Sequence, residues 1–161
     1  MSMFENDQYR WRETYFVLFR AKKRPKLEAI EQALDHLSDR FVLANLVADE
    51  KGFFESLTLL APDDFAALDI CYLGGEEVRE QGEQLVQEIT AAGTEAVDPT
   101  VLQRIREADG RFDILHFEQA AALEEEEEEE MFDPSALLVA LEALVELTDG
   151  IAVDPQAGTV L

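Results

Sequence analysis

Near its C-terminal end the chain reads DPSALLVALEALVELTDG, residues 133–150. Asp133-Pro134 supplies a helix start, because proline at a first helical position loses nothing by its missing N–H. Gly150 supplies the stop. Between them only Glu142 and Glu146 break an apolar surface. A helix of that kind is expected to be nearly all buried, so the remainder of the chain must offer it an apolar face.

Strand-type segments surround it. ETYFVLFR (13–20) is rich in aromatic and β-branched residues and reads as a strand. Pro25 opens a helix over 25–38, with Leu27, Ile30, Leu34 and Leu37 at helical spacing. RFVLANLVADE (40–50) reads as a strand, Asp49-Glu50-Lys51-Gly52 as a hairpin turn, and FFESLTLLA (53–61) as its partner. ALDICYL (67–73) is a further strand stopped by Gly74-Gly75. Residues 76–93 form a helix with Val78, Leu85, Val86 and Ile89 inward, interrupted by Gly82. Asp98-Pro99 starts a short helix over 98–110, RFDILHFEQ (111–119) is a strand, and IAVD with TVL makes a final hairpin.

The order strand, helix, strand, strand occurs at 13–61 and again at 111–161. A shift of 110 aligns Leu27 with Leu137, Leu34 with Leu144, and Asp39 with Asp149. The expectation is one α+β domain over 1–161, with pseudo-repeat halves at 13–93 and 111–161 and an acidic loop at 119–132. Helices alternating with hairpins read as a two-layer sandwich, ferredoxin-like or built of duplicated βαββ halves sharing one mainly antiparallel sheet.

Charge narrows the function. The 161 residues carry a net charge of −23. Residues 1–26 hold seven basic and three acidic side chains, leaving six basic and thirty-three acidic for the rest. Such acidity argues against nucleic acid or an anionic membrane as partner, since phosphate binding depends on Lys and Arg. The single cysteine, Cys71, allows no internal disulfide. The polar N-terminal stretch lacks the apolar core of a signal peptide, and no apolar run approaches a membrane span, so a cytoplasmic protein is expected.

No motif for catalysis stands out. Gly74-Gly75 precedes Glu76 and Glu77, which would repel a phosphate at that helix start. Cys71 and His116 lack the local signature of a nucleophile pair. Two histidines and one cysteine are few for a transition-metal site, and no cofactor is expected. Asp63, Asp64, Asp69, His116 and Glu118 are the carboxylates and imidazole that an enzyme or ligand-binding domain would have to bring together. His116 and Glu118 would share a strand face.

The basic residues of 1–26, together with Trp11, form the candidate interaction patch: Arg10, Trp11 and Arg12, with Arg20, Lys22, Lys23, Arg24 and Lys26. The run from Glu124 to Glu130 reads as a solvated tether, because adjacent like charges repel and do not converge on an ion. These features point to an interaction or regulatory module acting by self-association or by docking a protein partner. A carboxylate-based enzyme and an acidic mimic or binder of a basic protein are the alternatives.

Overall fold

The computed structural model describes residues 9–62, 65–92, 97–119 and 135–161. Strands β1 (Tyr9–Phe19), β2 (Val42–Ala48), β3 (Phe54–Ala61), β4 (Ala66–Gly74), β5 (Gly110–Gln119), β6 (Ile151–Asp154) and β7 (Thr159–Val160) form one sheet. Its order is β2-β3-β4-β5-β1-β6-β7, and every pairing is antiparallel. Helices α1 (Leu27–Asp35), α2 (Glu76–Ala92), α3 (Pro99–Glu107) and α4 (Ser135–Thr148) complete the described elements, with a 3-10 turn at Ala21–Lys23.

The mixed α+β class is as expected; the two-layer arrangement is not. Helices lie on both faces. Ile30 and Leu34 of α1 join Leu137, Ala140 and Leu144 of α4 over Val17, Phe19, Leu59, Ile70, Phe112 and Ile114. On the other face Val78, Leu85, Val86 and Ile89 of α2, with Ile105 of α3, cover Phe16, Leu18, Ile151 and Val153. The reason is in β1 itself. Its FVLF run is apolar on both parities, and a strand apolar on both sides needs cover on both. The order of seven strands is also not that of a simple ferredoxin-like sandwich.

Helices α1 and α4 share a face. The strand pairs that follow them go to opposite edges, with β3 inward of β2 on one side and β6 inward of β7 on the other.

Local rules account for most element ends. Asp98 accepts from the Thr100 N–H at 2.8 Å, with Pro99 at the first helical position. Asp49 Oδ1 accepts from the Lys51 and Phe53 N–H groups, each at 2.9 Å, and Gly52 takes φ +88° in that turn. These N–H donors hold the Asp49 carboxyl below its ordinary range.

Two helices depart from expectation. The helix placed at 25–38 spans only 27–35, because Lys26 bridges Phe53 and the Pro25 carbonyl accepts from the Phe54 N–H at 3.0 Å. Pairing with the hairpin keeps those residues extended. In α4, Leu138 is 55% and Val139 36% exposed, so this helix is less buried than its composition implies. Asp133, Pro134 and the Glu124–Glu130 run lie outside the described residues.

Candidate functional site

The sheet register divides the expected site residues between two faces. On the face packed by α1 and α4, His116 pairs with Glu13 across β5 and β1. His116 Nδ1 lies 3.1 Å from Glu13 Oε1, and the Tyr15 hydroxyl donates to the same oxygen at 3.4 Å. The His116 bond, above all, holds the Glu13 carboxyl below its ordinary range. Burial and the neighbouring Glu13 charge push the Tyr15 hydroxyl up to about 12.

Glu118 shares this face and is 5% exposed. Among the described residues its Oε2 accepts no hydrogen bond, and it stands 3.6 Å from Arg12 Nη1. Burial raises its carboxyl above the usual value, partly offset by Arg12 and His116. His116 and Glu118 therefore share a face as their spacing implies. Asp69 does not join them: in β4 it takes the opposite parity to Leu68 and Ile70, which pack against α1 and α4. Asp63 and Asp64 lie outside the described residues. Among the described residues no three His, Cys, Asp or Glu side chains could hold a metal ion together.

The basic residues occupy the two ends of β1 rather than one patch. Arg10, Trp11 and Arg12 stand at its start. Arg20 and the 3-10 turn with Lys22 and Lys23 follow its end, roughly 25 Å away at ~3.3 Å per strand residue. Arg20 pairs with Glu107 at 4.0 Å and Asp109 at 3.9 Å. Lys26 Nζ donates to the Lys51 carbonyl at 3.2 Å and lies 5.1 Å from the Phe53 ring centre. Arg24 is an internal clasp. Its Nε and Nη2 donate to the Phe54 carbonyl at 3.0 and 2.8 Å, Nη1 lies 3.3 Å from Asp49, and the guanidinium sits 4.1 Å over Tyr72.

The opposite face shows what the sequence reading missed. There the antiparallel register sets side chains in rows. Val42, Leu60, Ala67, Phe117 and Trp11 form one; Ala44, Thr58, Asp69, Leu115 and Thr14 form the next; Val47, Ser56, Cys71, Asp113 and Phe16 form a third. Helices α2 and α3 cover the β1-β6-β7 side of this face.

On the β2-to-β5 side the described residues of the buried cluster of Ala67 and Phe117, with Tyr9, Leu60 and Leu115 packed around it, all lie on strands. Val42 is 50%, Val47 43% and Trp11 43% exposed. The Trp11 Nε1–H donates to Thr14 Oγ1 at 3.0 Å, which fixes the indole on this face. Arg111 marks the border with α2: it pairs with Asp113 at 2.6 Å, donates to Gln81 and stacks 4.1 Å over Phe16.

In the middle row Thr58 Oγ1 donates to Asp69 Oδ1 at 2.7 Å, and Asn45 Nδ2 donates to Thr58 Oγ1 at 3.4 Å. Cys71 lies one row further along. Burial, then the charges of Asp69 and Asp113, push its thiol up, so it is held protonated, the opposite of an activated nucleophile. The signal for this face was present in the sequence as the odd parity of ALDICYL, where Asp69 and Cys71 alternate with Leu68, Ile70 and Tyr72.

Both sheet edges are blunted. β2 carries register shifts between Ala44 and Val47 and between Val47 and Ala48, with Asn45 at φ +54°. β7 is two residues long. Bulged or very short edges resist strand addition, so contact is favoured on the open face and not along an edge. Comparison with protein-family models, curated proteins and solved structures finds no match to this chain.

Proposed function

We propose that the protein is a small interaction module that docks a basic partner protein on the open β2-to-β5 half of its sheet. The observation that carries this reading is the exposure of Val42, Val47 and Trp11 around a polar centre, with no described helix residue in the cluster beside them. Exposed apolar groups gathered on one face mark interaction sites. Tryptophan is a frequent energetic anchor at such sites. The net charge of −23 favours a partner of opposite sign and disfavours a second copy of the same chain.

The test has two parts. Size-exclusion mass at low and high salt should report a monomer at both. A partner captured by the wild-type chain should be lost with Trp11→Ala plus Val47→Asp, retained with Leu138→Asp on the other face, and weakened by added salt. A stable homodimer, or a partner whose capture ignores the face substitutions, overturns the reading.

A further inference from the structure

The middle of the open face is a depression of about 280 Å³. Val47, Cys71 and Leu115 stand among its walls, with Ser56 and Thr58 beside them. We propose that this depression receives the phenyl ring of a phenylalanine presented by the partner protein. The inference rests on the docking role assigned above to the face that contains it.

Size sets the first limit. An apolar cavity of roughly 150 Å³ is enough to hold benzene, whereas sites for whole drug-sized ligands and cofactors run from roughly 300 to 1,000 Å³. The depression suits a single ring and falls short of a cofactor.

Charge sets the second. Asp69 is 8% exposed. Its carboxylate accepts from Thr58, to which Asn45 donates in turn, and it is not left free. Asp113, across from Cys71, is paired with Arg111. Burial, then the charges of the two aspartates, keep the Cys71 thiol protonated. An ammonium or guanidinium entering here would give up its water for carboxylates that the chain already engages, which costs more than it returns. An uncharged ring pays no such cost, and covering Asp69 removes little further water from it. The ring can turn its positive edge to the carboxylates and its faces to Val47 and Leu115, and a neutral sulfur is a favourable aromatic neighbour.

Placement sets the third. Val42, Val47 and Trp11 stand exposed around the depression, and anchor side chains lie near the centre of an interface, ringed by contacts that exclude water. Aromatic residues are enriched in such positions and leucine is not. The basic groups of the partner then meet the acidic body outside the depression while the ring fills it.

The probe is N-acetyl-phenylalaninamide, titrated at constant ionic strength into the ¹⁵N-labelled full chain. The expected result is saturable shifts at Thr58, Asp69, Cys71 and Leu115, with slower alkylation of Cys71 by N-ethylmaleimide. The chain has no other cysteine, so that rate reports the depression alone. The alanine analogue should leave both signals unchanged, and the lysine analogue should spread over the acidic surface without saturating these residues.

Ser56→Phe sets a ring of the chain's own beside the depression and should abolish both probe binding and partner capture. If that variant does not give a folded spectrum, Val47→Ala decides: it shortens an exposed wall and should weaken probe binding roughly fourfold, the scale of one buried methylene. The inference is overturned if the alanine analogue acts equally, if the lysine analogue saturates the same residues, or if the deciding variant binds the probe like wild type. Partner capture that is lost with the Trp11 and Val47 substitutions but survives Ser56→Phe would remove the phenylalanine anchor alone. Saturable probe binding with partner capture indifferent to the face substitutions would remove the docking reading and leave a site for a free aromatic ligand.

Discussion

Gly82 of α2 lies directly against the Ile105 carbonyl of α3: a Cβ built at Gly82 would stand 2.9 Å from that oxygen. The sequence marks Gly82 as a weakness in a helix, since alanine is better there by about 1 kcal/mol. The packing reverses the sign. Overfilling a tight contact costs typically about 1–3 kcal/mol, and the obstructing atom is backbone. Gly82→Ala should therefore lower the thermal midpoint, by about 2–4 °C per kcal/mol of net loss for a chain of this size. A raised midpoint in calorimetry would mean that α2 and α3 separate freely.

Arg24 provides a second test. Its guanidinium joins the Phe54 carbonyl, Asp49 and the Tyr72 ring, tying the residues after β1 to the β2–β3 hairpin and to β4. Arg24→Ala should cost roughly 2–3 kcal/mol in urea unfolding, the scale of charged hydrogen bonds plus a cation–π contact. Arg24→Lys should recover only part of this, because an ammonium cannot reach all three partners from one position. Full recovery by lysine would show that charge alone matters here.

These two positions show where sequence reading reaches and where it stops. Strand and helix types were legible because Leu27, Ile30 and Leu34 repeat at one period and Leu68, Ile70 and Tyr72 at another. Which face each element packs against was not, because α2 follows β4 in the chain yet covers Phe16, Leu18 and Val153. That choice depends on strands brought together from residues 16 and 153. The start of β1 was missed for the same reason. YRWR is polar by composition, but Tyr9 pairs with Gln119 and Trp11 with Phe117, and the bulge between Trp11 and Glu13 turns the indole onto the open face. Basic residues close in sequence thus separated into a clasp at Arg24 and ion pairs at Arg12 and Arg20. Asp69 was legible as a carboxylate; its place between Thr58 and Leu115 depends on cross-strand pairing.

A net charge of −23 on 161 residues strains the folded state by self-repulsion. Salt shortens the reach of that repulsion, from about 30 Å at 0.01 M to about 10 Å at 0.1 M. The thermal midpoint should rise by several degrees between those concentrations of sodium chloride and flatten above them. A midpoint that falls with salt would mean that the ion pairs at Arg24, Arg106 and Arg111 outweigh the repulsion, since screening weakens them as well.

Glu13 and Glu118 occupy the same corner of the sheet and should respond to pH with opposite sign. Chiefly through its bond to His116, the Glu13 carboxyl titrates lower in the folded chain than in the unfolded one. It contributes stability above the unfolded value of about 4.3, and that contribution is lost as pH falls through the folded value. Glu118 titrates higher when folded, chiefly through burial. Its contribution is present below the unfolded value and is lost as pH rises through the folded one. At pH 7, Glu13→Gln should therefore destabilise by about 1 kcal/mol, the scale of one hydrogen bond. Glu118→Gln, which keeps the shape and removes a buried charge, should stabilise by up to about 1 kcal/mol, allowing for the lost pairing with a half-exposed Arg12. Urea unfolding at pH 7, 4.5 and 3 reads both: the Glu118→Gln difference should already shrink at pH 4.5, whereas the Glu13→Gln difference should persist there and shrink only below the unfolded value of about 4.3. A Glu118→Gln variant less stable than wild type at pH 7 would show that the Arg12 pairing outweighs the cost of burial.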